Sequence, residues 1–305
     1  MASPFTPQPQ ASAQVIANAR IKSRVAAAGA GATWWTEGWR IFRSHFGTWI
    51  GIVFAYFVVS LLLNAVPHIG AVAQWLLTPV FIGGIMLGCD ALQRGQPLRL
   101  SHLFDGFKGP HFIPLLLVGV FNLALCLLAV VVSGAVLVAG IGMSGLLNFA
   151  NLATDPWQMW RTLGLTYFSL IALAATALTV IAMANWFAPA LIVLRNAKPL
   201  GAMLASLRAC LRNWLPFLVY GVIGIVIAIA VMAAFAVLAG MVGFEAIMAI
   251  IDGNGDGGAF TSGTGVLGAI LAVIAVVVAA VIFGSTYASY RDTLAADDST
   301  PDNLT

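Results

Sequence analysis

Charge is the scarcest commodity in this sequence. Only 8% of its 305 residues are Asp, Glu, Lys or Arg, against about a quarter in an ordinary soluble domain. Apolar residues make up 61%, and the mean hydropathy is +0.97. Such a chain has too little polar surface to sit in water, which excludes a soluble globule and leaves a membrane protein. Cysteine is nearly absent too: Cys89, Cys126 and Cys210 lie far apart with no C-x-x-C or metal-ligand spacing, so neither a disulfide framework nor a zinc site is supported. Reduced, packed thiols are expected. No G-x-S-x-G, H-E-x-x-H or phosphate-binding loop stands in a supporting context, so no cofactor is implied. The net charge of +3 is small, and no nucleic-acid partner is expected.

Long apolar runs are what the sequence has instead. A bilayer core of about 30 Å needs roughly 20 helical residues. Runs of that length extend from about Gly47 to Val66, Val72 to Asp90, Phe112 to Ser133, Leu165 to Ala188, Pro216 to Leu238 and Val266 to Ala288. The expected fold is therefore all-α, a polytopic bundle of six transmembrane helices over residues 33–292. A basic, disordered tail is expected over 1–32 and an acidic one over 293–305. With the amino terminus inside, every one of the 14 basic residues except Arg161 falls on the cytoplasmic side, a strong positive-inside asymmetry. Both termini are thus expected in the cytoplasm of a bacterial cell. An extra span before Asp155 would export the Arg195 to Arg212 cluster, so apolar residues 139–153 are expected to extend a helix or to lie in the outer interface, as are residues 241–251.

A weak threefold repeat runs along the chain. Ile113-Pro114-Leu115-Leu116-Leu117-Val118-Gly119-Val120 matches Leu215-Pro216-Phe217-Leu218-Val219-Tyr220-Gly221-Val222, and the first span begins comparably at His45-Phe46-Gly47. Each odd-numbered span follows an amphipathic segment ending in a basic residue: Arg43, Lys108 and Arg212. Three parallel units of interfacial helix plus two-span hairpin account for this; chance likeness among Leu/Val/Gly-rich segments is the alternative. In the first segment Trp35, Trp39, Phe42 and Phe46 recur at helical spacing, with Arg40 and Arg43 off that stripe. Such a helix can lie in the headgroup layer with guanidinium groups toward anionic phosphates. Alternatively its rings pack on the bundle's own end. Phe104, Phe107 and Lys108 form a shorter version, and Arg208, Arg212 and Trp214 belong to the third. Trp75, Trp157 and Trp160 on the outer side, with Trp49, Trp186 and Trp214 on the inner, read as aromatic belts.

Polar groups within the spans are few, and each is a candidate because burial in lipid is costly. Asp90, Asn122, Asn185 and Glu245 could mark a polar path, although Asp90 can pair with Arg94 at i+4, and the asparagines can bridge helices. His102 and Asp105 stand three apart, a weak signal for catalysis. Asp252, Asn254 and Asp256 reproduce the first half of a calcium loop, but position 12 is Gly263 where a bidentate Glu is needed, so a Gly-rich turn is the simpler reading.

Three local patterns carry a family likeness: Trp35-x-x-Gly38-Trp39-x-x-Phe42, Leu103-Phe104-x-Gly106-Phe107 and Leu211-Arg212-Asn213-Trp214. Through them the chain, over roughly residues 33–292, resembles an uncharacterised family of bacterial multi-pass inner-membrane proteins. It is more distantly similar to the membrane domain attached to some glycerophosphodiester phosphodiesterases. The second likeness implies no activity here, because a catalytic barrel needs about 250 residues that six spans do not leave. The expected role is non-enzymatic: contact with membrane lipids, membrane-protein partners or further copies of the chain through the cytoplasmic helices. A small transporter or channel subunit is the alternative, and a headgroup enzyme using His102 and Asp105 a third.

Overall fold

The computed structural model describes residues 23–152, 156–251 and 258–295. Among these every regular element is helical. In chain order they are α1 (Ala30–Ser44), α2 (Phe46–Asn64), α3 (Ile69–Gln93), two 3-10 segments (Leu100–Phe107 and Gly109–His111), α4 (Phe112–Leu152), α5 (Pro156–Trp186), α6 (Ala188–Arg195), α7 (Pro199–Arg212), α8 (Trp214–Ile251) and α9 (Gly258–Thr293). Among the described residues six stretches are long and apolar enough to cross a membrane: Phe46–Asn64, Ile69–Gln93, Gly109–Gly140, Gly164–Arg195, Trp214–Met241 and Gly265–Thr293. They contain the six expected spans to within a few residues. Helix is the form such runs must take, because lipid offers no partner to a backbone N–H or C=O.

The chain divides into two compact units. Among the described residues, unit one comprises Leu63–Gly84 and the described part of Gly106–Arg208; unit two comprises residues 23–62, Ile85–Asp105 and the described part of 209–295.

Helix α4 runs 41 residues to Leu152 and α8 runs 38 residues to Ile251, so the apolar stretches after Ser133 and Leu238 extend the helices, one of the two outcomes expected for them. At 1.5 Å per residue α4 reaches about 60 Å, twice the hydrocarbon thickness. Within the expected amino-terminal tail α1 starts at Ala30, and Arg24 and Ala26 before it are held by Asn213; residues 1–22 and 296–305 of the two expected tails lie outside the described residues. The Asn213 side chain accepts from the Ala26 N–H at 2.8 Å and donates to the Arg24 carbonyl at 2.9 Å, mimicking a backbone partner. The Arg24 N–H donates to the Thr293 carbonyl at 2.8 Å. The segment before the third span is 3-10, not α; Gly106, and Gly109 and Pro110 just after it, leave no run of good helix formers there. Span four is interrupted at Phe187, where Pro189 opens α6. Glycines in the run from Phe81 to Gly88 make contacts within the chain: a side-chain carbon on Gly83 would meet Leu115 and Val193, and one on Gly88 would meet Leu98 and His102.

Candidate functional site

In unit two, the aromatic helix α1 is set by its glycines. A carbon added to Gly31 would strike the Pro216 carbonyl and Tyr220, and one added to Gly38 would lie 2.5 Å from the Val281 carbonyl and 2.8 Å from the Ser285 N–H nitrogen. These two residues let backbones touch, the use of small residues expected where lipid supplies no hydrophobic drive between helices. Between them Trp34 is 2% exposed, its ring 5.1 Å from Phe217, and its Nε1–H donates to Asp292 Oδ2 at 3.0 Å. Trp35 stacks on Tyr220 with centroids 4.8 Å apart and donates to the Tyr220 carbonyl at 3.0 Å. From Gly31 to Trp39 the neighbours climb α8 from Pro216 to Gly224 and Ile227 while descending α9 from Asp292 to Val281. Helix α1 therefore runs lengthwise along the α8/α9 pair, parallel to α8 and antiparallel to α9.

Of the two readings of the aromatic stripe, that placement sets part of it against the protein's own helices. Phe42 is buried at 2% exposure and Trp35 is half-buried against α8, because the same stripe that would suit a membrane surface has a protein partner. Trp39 is 48% exposed, and Phe46 is exposed as well. Arg40 and Arg43 are exposed, Arg40 paired with Glu37 one turn back. Trp49, expected in an aromatic belt, is wholly buried and donates to the Ile41 carbonyl at 3.2 Å. Trp75, Trp157, Trp160 and Trp214 are exposed. A groove of about 380 Å³ is lined by Trp35, Thr36, Trp39, Ile227, Val277, Val278 and Val281.

The other surface candidates divide similarly. Phe104 and Lys108 are exposed, whereas Phe107 is half-buried in unit one between Phe81 and Phe112. Arg208, Arg212 and Trp214 are exposed, and Arg212 donates to the Ser23 carbonyl at 3.1 Å. Asp90 takes the helix pairing with Arg94, at 2.6 Å, and accepts from the Tyr287 hydroxyl at 3.2 Å. Both bonds lie within unit two. His102 uses Nδ1 to accept from the Arg99 N–H at 3.0 Å, leaving its Nε2 3.9 Å from Asp105, too long for a hydrogen bond. Among the described residues no three His, Cys, Asp or Glu side chains group to hold a metal. The half calcium loop at Asp252, Asn254 and Asp256 and the side chain of Glu245 lie outside the described residues.

Unit one contains the polar cluster. Asn122 on α4 and Asn185 on α5 exchange amide hydrogen bonds of 2.7 and 2.6 Å, and Asn185 also donates to the Ile181 carbonyl at 2.7 Å. The pair borders a cavity of about 320 Å³, lined also by Gln74, Trp75, Thr78, Pro79, Ile82, Ile181 and Pro189. Gln74 and Thr78, four apart on α3, were not singled out by sequence; their spacing inside an apolar span was the available signal. The helix break beside the cavity is secured by Ser206 of α7, fully buried, which accepts from the Phe187 N–H at 2.9 Å and donates to the Met183 carbonyl at 2.6 Å.

No family model matches the chain, and no solved structure matches it. A probable inner membrane protein of Burkholderia thailandensis is 30% identical over 199 residues, covering 63% of this chain and 71% of that protein. With six apolar helices on the page, the chain is a multi-pass membrane protein, and it belongs to the family of that probable inner membrane protein.

Proposed function

We propose that this protein is a non-enzymatic component of the bacterial inner membrane that contacts anionic lipids through the residues at the starts of its odd-numbered spans, both termini being cytoplasmic. One observation carries the reading: exposed rings and exposed cations recur together at those starts, Trp39 and Phe46 with Arg40 and Arg43, Phe104 with Lys108, and Trp214 with Arg208 and Arg212. Rings of this kind favour the headgroup level, and each cation near an anionic surface adds about 1 kcal/mol; because Trp39 sits beside Ile227, about 20 Å along α8 from Trp214, the clusters around those two rings lie at different depths and do not share one plane. The lengthwise seat of α1 narrows the set: Trp35 and Phe42 serve packing, and the lipid-facing residues are those left outside it. The distant likeness to a membrane domain that accompanies phosphodiesterases fits a role in which chemistry resides elsewhere.

The test is native mass spectrometry of the protein extracted with its lipids. Replacing Arg43, Lys108 and Arg208 together by Gln should lower retained phosphatidylglycerol several-fold with the fold intact; unchanged retention would remove the reading. A second reading, a small transporter with a path among the hairpins, draws on the cavity beside Asn122 and Asn185. Uptake of a solute by vesicles containing the protein, lost on filling that cavity, would favour it.

A further inference from the structure

The cavity in unit one is an unusual lining for a membrane interior, because it brings hydrogen-bond donors and acceptors together in an apolar wall. Pro79 and Pro189 both line it, and so do the residues four before them, Trp75 and Asn185. Proline has no N–H, so neither the Trp75 nor the Asn185 carbonyl receives the helical hydrogen bond it would otherwise accept. The Thr78 hydroxyl donates to the Gln74 carbonyl at 2.7 Å and accepts from Gln74 Nε2 at 3.4 Å, which leaves one lone pair. In the amide pair, both Asn185 N–H groups are used, on Asn122 Oδ1 and the Ile181 carbonyl, while each Oδ1 has a second lone pair and Asn122 a second N–H. Donors remain as well, since Gln74 Nε2 and the Trp75 indole carry N–H groups on lining residues. Among the described residues no ionisable side chain lines the cavity, and Trp75, Pro79, Ile82, Ile181 and Pro189 make most of its wall apolar. All four helical stretches that build it lie within the membrane-spanning segments.

A ligand suited to that wall donates a hydrogen bond, is uncharged, and brings apolar bulk. Charge would be uncompensated there; a bare ester or ether could accept a hydrogen bond but would leave the acceptors without a donor. A hydroxyl supplies the donor and accepts in turn from the second N–H of Asn122. The volume of about 320 Å³ lies at the lower end for a small-molecule site and exceeds what a single ion needs. We infer that this cavity is a binding site for the free hydroxyl end of a neutral membrane lipid of the diacylglycerol kind, entering from the bilayer and donating its O–H to the Asn122–Asn185 amide pair. The inference is independent of the surface contacts proposed above, which use charged residues and anionic headgroups.

The experiment is photolabelling of the full chain in detergent with a diacylglycerol carrying a photoreactive acyl chain. Saturable labelling should fall on peptides covering residues 74–82 or 181–189, and unlabelled diacylglycerol should compete at least tenfold better than its hydroxyl-acetylated counterpart or phosphatidic acid. Ile82→Trp, which fills the cavity and leaves the amide pair, should cut labelling at least tenfold; Thr78→Val, nearly isosteric, should cut it several-fold and covers the case in which the Trp variant does not fold. Equal competition by the acetylated lipid or by phosphatidic acid, labelling confined to other peptides, labelling of both variants at the wild-type level, or displacement by sodium ions alone would overturn the inference.

Discussion

Helices α4 and α8 open on nearly the same sequence, and the two units use it differently. Each has proline as its third residue and glycine as its eighth, Pro114 and Gly119 in one, Pro216 and Gly221 in the other. In unit one Gly119 is a contact point, where an added carbon would meet the backbone of Leu76; in unit two Gly221 faces open space, and the close approach is made by Gly31 and Gly38 of α1. The space beside the helices is also treated differently. Unit two sets Trp34 and Trp35 there, each hydrogen-bonded through its indole, and leaves an apolar groove beside Trp35, whereas unit one leaves a cavity with an amide pair at its edge. A repeated local sequence sets where a span begins and how its first turn is built. Which face becomes an interface is decided by the partner that arrives.

The comparison breaks most severely at Gly38. Gly38→Leu should destabilise the protein by about 3 kcal/mol or more, since the obstacle is backbone of α9 and cannot rotate away; thermal unfolding in detergent reads it. Next, Gly119→Ala should cost about 2 kcal/mol while Gly221→Ala stays within about 0.5 kcal/mol, so the same substitution at equivalent positions separates the two units. Ser206→Ala should cost about 1 to 3 kcal/mol by leaving the buried Phe187 N–H without its acceptor, seen as a lower melting temperature and faster proteolysis near residue 187. The smallest effect belongs to the amide pair. Asn122→Leu should cost about 1 kcal/mol, and adding Asn185→Leu should cost less than a second independent loss, because the double variant strands no partner. A double-mutant cycle measures that coupling.

The spans were legible because bilayer thickness, apolar length and the demand for internal hydrogen bonding all point to one answer. The fate of α1 was not. An aromatic stripe such as Trp35, Trp39, Phe42 and Phe46 reads the same whether lipid or protein covers it, and only the second face, Gly31, Trp34 and Gly38, carried the information that a helix pair would lie against it. Asp90 was legible as a partner of Arg94, since i+4 geometry is local; its bond with Tyr287 joins residues 197 apart in the chain, a separation no periodicity encodes. Asn122 and Asn185 drew notice one by one as polar groups in apolar spans, but their pairing, and the part of Gln74 and Thr78 beside them, depend on how α3, α4 and α5 come together. The hold on Arg24 and Ala26, inside the expected tail, hinged on one side chain, Asn213.

The orientation underlies the assignment of the charged residues to anionic lipid, and cysteine accessibility tests it most directly. In a background lacking Cys89, Cys126 and Cys210, Lys198→Cys before α7 should resist a membrane-impermeant maleimide in intact cells and react after lysis, while His68→Cys, in the turn between α2 and α3, should react from outside. Labelling at position 198 in intact cells would contradict the account.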